Sequence, residues 1–470
     1  MPGPQLPLIA HLIRRAGFGA THAELETYAS QGYEAVLEDL LHPERFPEIE
    51  QDILSRYHGT MDEDLGGDLH ELPAGVWIHR MVHTRRPLEE KIALFWHHVF
   101  ATGAAKSEHR PSMNRQIDMF RRVGLSDLRT ILMELSRDPA MLYWLDNNEN
   151  HKDQPNENYG RELLELFSMG VGNYTEQDIK MAARAFTGWT FKQPIPLYTQ
   201  GSHPAEFVFL EDDHDGGVKT FLGETGPFNG EDIVDIIVKQ PATARFICRH
   251  LYNFFVADEP QVPTWDQVPP RDPAAIDILV EAFVESGGEI RATLRALFSS
   301  QSFKDARLKR VKSPVELVVG ILKLVGISDL PGADIARYAD ATTFMAQTLY
   351  DPPSVEGWHT GQEWIDGGTL TERVNFAVGE VGDASKPGIR AIVERFASNG
   401  AALSPDAFVD ECLELAGALT VGDETREVFV RDAESDGELR FGNDAQQDES
   451  TGRIVRMLEA IVACREYQLA

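Results

Sequence analysis

Apolar residues recur at helical spacing through most of this chain. Between residues 88 and 100, Leu88, Ile92, Phe95, Trp96 and Val99 repeat every three to four positions, which predicts a helix with His97 and His98 beside or opposite its packed face. Asp272-Pro273 opens a second pattern through Ile276, Leu279, Val280 and Phe283, stopped at Gly287-Gly288 and resumed from Ile290 to Phe298, a helical hairpin. Asp138-Pro139, Ser313-Pro314-Val315-Glu316 and Thr175-Glu176-Gln177-Asp178 each join a capping side chain to a first-turn proline or an acid three residues on, so each starts a helix. In the run from Pro155 to Leu166 the polar positions are the unusual ones. At 100° per residue Asn158, Arg161, Glu162 and Glu165 share about a 100° sector, and Tyr159, Leu163, Leu164, Leu166 and Phe167 fill the rest.

Strand signals are few. Residues 206–209 and 218–221 could pair across the turn Asp213-His214-Asp215-Gly216-Gly217 as one hairpin. They lie in a Gly-, Pro- and aromatic-rich stretch, 188–230, without helical period, and such a stretch in a compact protein is expected to lie over the helical body. The proline-rich segment 258–271 and the acidic segment 422–452 are further breaks, the second expected as a solvent-facing loop or hairpin. The expected architecture is mainly α: a multi-helix globular body with a loop-rich insertion and at most a small β-hairpin. Residues 1–187 form the first helical part, 188–230 the insertion and 231–470 a second helical part packed on the first.

Composition narrows the function classes. Hydrophobic residues at 42% and charged residues at 25% are ordinary globular usage, but 75 acidic against 44 basic residues give a net charge of −31. That charge repels phosphate backbones and anionic membranes, so nucleic acid is not an expected partner. The most apolar later run, residues 315–325, is broken by Glu316 and Lys323 and too short to span a bilayer. A soluble protein is expected, and the first residues show no signal peptide. Three scattered cysteines, Cys248, Cys412 and Cys464, read as small buried residues.

The candidate chemistry centres on the polar stripe. Glu162 and Glu165 beside Arg161 and Asn158 could hold different pKa values, one ionised by the guanidinium and one raised by burial, as acid/base hydrolysis needs. The same four side chains could instead form a solvated face or a bracing ion-pair network. Arg161 in that sector opposes a cation, so no metal is assigned, and no cofactor is implied. His97 offers an imidazole as general base, against the ordinary reading of a core histidine. His214 and Asp215 could present an imidazole and a carboxylate on a glycine-rich turn. Trp189, Trp358 and Trp364, in glycine-flanked settings, could stack on sugars or anchor loops. The i,i+4 pair His79 and His83 lacks the glutamate of a zinc-peptidase helix, Gly17-Phe18-Gly19 lacks the context of a dinucleotide loop, and no Gly-x-Ser-x-Gly elbow is present. Arg14, Arg15 and Gly17 read as a loop locked against an acidic helix end.

Several segments together resemble a bacterial family catalogued as domain of unknown function 1800. They are His11-Leu12-Ile13-Arg14-Arg15-Ala16-Gly17-Phe18-Gly19, Pro87-Leu88-Glu89-Glu90-Lys91 leading into Phe95-Trp96-His97, the run from Pro155 to Leu166, and Thr187-Gly188-Trp189. His214-Asp215 with Lys219-Thr220-Phe221-Leu222-Gly223, and Gly357-Trp358 followed by Trp364, complete the set. Members often carry Trp-His-x-His-Phe where this chain has Trp96-His97-His98-Val99-Phe100. The resemblance implies a mostly helical fold, relatives that are often exported, and a possible phosphatase- or sulfatase-like partner, without an activity. The residues then favour a metal-independent acid/base hydrolase or lyase of a glycan-like substrate, with Glu162 and Glu165 as acid and base. Asn158 and Arg161 would orient substrate, and His97, His214 or Asp215 would assist. The rival reading is a non-catalytic binding or assembly protein.

Overall fold

The helix Pro314–Val325 stands where the apolar pattern is densest, and all of it is buried except Gly320 and Lys323, which are partly so. A helix apolar on every side has to lie inside the protein. Its start is written in Ser313-Pro314-Val315-Glu316: the Ser313 hydroxyl accepts from the Glu316 amide at 3.3 Å and the Glu316 carboxylate from the Ser313 amide at 2.7 Å. Helices Glu71–His83, Ala336–Phe344, Gly367–Val381 and Pro387–Asn399 pack around it. The computed structural model describes residues 5–49, 71–107, 110–193, 205–332, 335–399, 403–435 and 439–470.

The fold is mainly α. Apart from isolated bridges, β-structure among the described residues is limited to two antiparallel pairs: β1 (Trp189–Lys192) with β2 (Glu206–Phe209), and β3 (Lys219–Phe221) with β4 (Glu224–Gly226). The two expected strand pieces therefore form, but not with each other. Trp189 stands opposite Phe209, and Lys219 opposite Gly226. The segment between them is tied to the helix Glu176–Ala185, where Arg184 grips Asp215 at 2.6 Å, and this anchor separates β2 from β3.

The helix Pro87–Val99 is buried at every position from Glu90 onward, so His97 and His98 lie within the core rather than at the margin of a packed face. The sequence period saw one neighbour. The structure supplies a second, from Tyr350 and Trp358, whose rings lie 6.1 and 5.2 Å from that of His97. The acidic segment 422–452 also differs from expectation. It contains the helix Asp423–Ser435 and the start of the helix Asp444–Ala463, because Phe429, Ala433, Ile454 and Leu458 give each helix a buried stripe while the acids stay outside. One hydrophobic cluster runs from Leu6 to Tyr467 and includes residues from both helical parts. Among the described residues no helix is long and apolar enough to cross a membrane.

Candidate active site

The stripe falls on the helix Asn158–Glu165, which lies close against Glu176–Ala185 because Gly160 has no side chain. A Cβ there would meet the Ala183 amide nitrogen at 3.1 Å and the Ala182 Cβ at 3.3 Å. This contact turns the stripe edgewise, and its members face different surroundings. Asn158 is exposed, its amide nitrogen 3.4 Å from Asp146 Oδ2. Arg161 reaches across to the neighbouring helix and binds both oxygens of Glu176, at 3.0 and 2.9 Å, with Glu157 at 3.3 Å. Its charge is thereby engaged away from the other two acids.

Glu162 is half-buried, and its carboxyl has no hydrogen-bond partner among the described residues. Burial, then the neighbouring Glu165, raise its pKa from 4.5 to about 7; Glu356 acts in the same direction and Arg161 opposes. Glu165 accepts from the Tyr174 hydroxyl at 2.8 Å. It also lines a cavity of about 260 Å³ with Glu356, Phe246, Arg249, Trp265 and Asn173. Trp265 is partly exposed and rigidly held: its indole nitrogen donates to Pro260 O at 2.7 Å, and the Arg249 guanidinium stacks 4.4 Å from its ring. Arg249 is fixed in turn by Glu259 at 2.9 Å.

Glu356 arrives on a loop pressed against the end of the helix Pro87–Val99. Gly357 has φ +84°, and a Cβ on it would lie 2.3 Å from His98 O, so no other residue fits. Trp358 then stacks on His98 and meets His97 edge-on. His97 takes no direct part in the cavity: fully buried, it accepts from the Tyr350 amide at 3.1 Å, and burial depresses its pKa to about 3. It supports the loop that carries Glu356.

The remaining expected residues lie elsewhere. His214 bonds Thr187 O through Nδ1 at 2.9 Å, and Asp215 is held by Arg184, which lowers its pKa. Arg184 and Glu176 are eight residues apart, about 12 Å along one helix, so the His214-Asp215 turn is anchored far from the Arg161 end. Trp189, Trp358 and Trp364 are 4, 4 and 3% exposed, too little for the stacking platforms the sequence suggested. Trp189 packs on Phe186 and Phe207 and fastens the β1–β2 pair to the helices. Periodicity had no means of finding Trp265, Tyr174, Arg249 or Glu356. The one available signal was that Trp265 falls in the proline-rich break 258–271. Among the described residues no group of three His, Cys, Asp or Glu side chains is placed to hold a metal ion.

Fold and site together define a mainly helical protein whose cavity is edged by glutamates and walled by aromatic rings. The chain belongs to the family described as "Protein of unknown function (DUF1800)", whose profile matches residues 11–469. No curated protein and no solved structure matches it.

Proposed function

We propose that the cavity beside the helix Asn158–Glu165 is the active site of an acid/base hydrolase or lyase that works through its own carboxyl groups on a glycan-like substrate. The observation that carries this reading is Glu162: a carboxyl with no hydrogen-bond partner among the described residues, half-buried, with a pKa of about 7, next to a second carboxyl on a cavity wall. A group of that pKa is still protonated in about half of the molecules at neutral pH, and the protonated form can give its proton to a leaving oxygen. Glu165, oriented by the Tyr174 hydroxyl, is placed to take a proton from water or from a substrate carbon. Trp265 offers an apolar face of the kind sugars stack on, and Asn173 and Arg245 supply polar contacts along the same wall.

The rival is a binding or assembly protein that docks a phosphatase- or sulfatase-like partner, and Arg161 favours it. Its bond to Glu176 ties two helices together, as a brace would, and Glu157 at the start of its own helix holds it there. Turnover of a panel of polysaccharides and aryl glycosides separates the two readings. For an enzyme, Glu162→Gln and Glu165→Gln should each lose about 10²–10⁴-fold in kcat without any fall in melting temperature. A wild-type protein inert on the whole panel, with Arg161→Gln melting several degrees lower, would leave the brace.

A further inference from the structure

A second cavity lies beside the start of the Pro314–Val325 helix, and its surroundings carry an excess of buried positive charge. Six cationic side chains, Arg14, Arg15, Lys91, Arg310, Lys312 and Arg373, gather there around two carboxylates, Glu316 and Asp258. Glu316 is fully used. One oxygen faces Arg15 at 3.4 Å and Lys91, and the other takes Arg310 at 2.6 Å and the Ser313 amide. Asp258 accepts from the Val311 amide at 2.9 Å.

The other three cations form no direct ion pair among the described residues, although Glu316 acts on Lys312 and Arg373 from further off. Arg14 donates to Gly417 O at 2.7 Å, and Lys312 to Tyr467 O at 2.6 Å. Arg373 donates to Gln468 Oε1 and Lys312 O, and its Nη1 is buried without a partner among the described residues. Carbonyl oxygens satisfy hydrogen bonds but do not neutralise charge, and a buried uncompensated ion costs several kcal/mol. Arg14 and Lys312 both line a cavity of about 50 Å³, together with Glu316, Tyr467, Ala470 and the bare backbone of Gly19 and Gly417. A single water needs about 10–15 Å³ by this measure, so the space holds a few waters or one four-oxygen anion and is too small for a sugar.

We propose that this cavity binds one small oxyanion of phosphate or sulfate size, held by Arg14 and Lys312, with Arg373 reinforcing the field behind Lys312. The site is independent of the glutamate cavity. Burial, followed by Arg14 and Arg373, lowers Lys312 to a pKa of about 7, so without an anion the lysine relieves the repulsion by losing its proton, and with one it stays charged.

Titrating the full chain with inorganic phosphate at constant ionic strength, followed by phosphorus NMR, tests this directly. Saturable one-to-one binding is expected, weakened at least tenfold in Arg14→Gln and Lys312→Gln and unchanged in Arg129→Gln, whose guanidinium sits on the surface with Asp235. Lys312 also provides a readout that needs no variant. Its acetylation by acetic anhydride, located by mass spectrometry, should slow as phosphate is added. Displacement of phosphate by sulfate alone assigns a closed site for the free ion, whereas displacement by glycerol 3-phosphate as well assigns the phosphate end of an ester; either supports the proposal. Absence of saturable binding, or binding that leaves Lys312 acetylation unchanged, overturns it.

Discussion

Glu162 differs from its neighbours by what it lacks. Glu165 has the Tyr174 hydroxyl and Arg161 has two acids, while the Glu162 carboxyl faces like charges without a hydrogen-bond partner among the described residues. Its folded pKa, about 7, lies above the unfolded value near 4.5, so the native state binds the extra proton between those limits. Its stabilising contribution is complete below pH 4.5 and is lost as pH rises through 7. Glu162→Gln should therefore match wild type at pH 4.5 and be more stable at pH 8.5, by roughly 1–2 kcal/mol once solvent screening of a partly exposed group is allowed for. Thermal melts at the two pH values check this, and equal melting temperatures at pH 8.5 would mean that Glu162 titrates in the ordinary carboxylate range. The sequence placed Glu162 and Glu165 together but could not tell them apart. That difference comes from Tyr174, nine residues past Glu165, and from Glu356, in a distant part of the chain.

Between elements, close approach is set by single glycines. Gly160 lets the stripe helix lie against Glu176–Ala185, the contact through which Arg161 reaches Glu176. Gly160→Ala should push the helices apart by a few tenths of an ångström and cost about 1–3 kcal/mol. A urea midpoint within error of wild type would show that the pair can yield. Helix starts were legible because caps are local: Thr175, Ser313 and Asp138 each bond the amide three residues on, as their spacing implied. The pairing of β1 with β2 was not legible, because the anchor separating β2 from β3 is Arg184, on a helix outside both strands.

For the molecule as a whole, the buried histidines govern behaviour in acid. His97 and His11 are depressed to about 3, His79 and His98 to about 4, and His250 well below its ordinary value, in each case first by burial. All five are neutral when folded and take up protons near pH 6.5 when unfolded, so their contribution is present above pH 6.5 and is lost as pH falls toward 4. His83, also lowered by burial, adds to them, while Asp138 and Glu162, each raised to about 7, and Glu89 and Asp258, also raised by burial, work in the opposite direction. The balance favours unfolding by up to about 3 kcal/mol per pH unit. Urea unfolding at pH 7 and pH 5 should differ by several kcal/mol, and a flat pH dependence would mean that these rings are already protonated in the fold. The sequence conveyed the helical class through its periodicity, but it could not convey which histidines are interior. Their burial depends on covering loops, such as the one bearing Trp358, that arrive from the other half of the chain.

Arg15 and Lys91 acquire their carboxylate partner, Glu316, from 301 and 225 residues further along. At the usual pace of synthesis, about 5–20 residues per second, that partner follows roughly a quarter of a minute to a minute later. Until then the first fifth of the protein carries two cations whose folded-state partner has not been made. The charge cluster of Arg15, Lys91 and Glu316 therefore forms only after the Ser313-Pro314-Val315-Glu316 turn has been made.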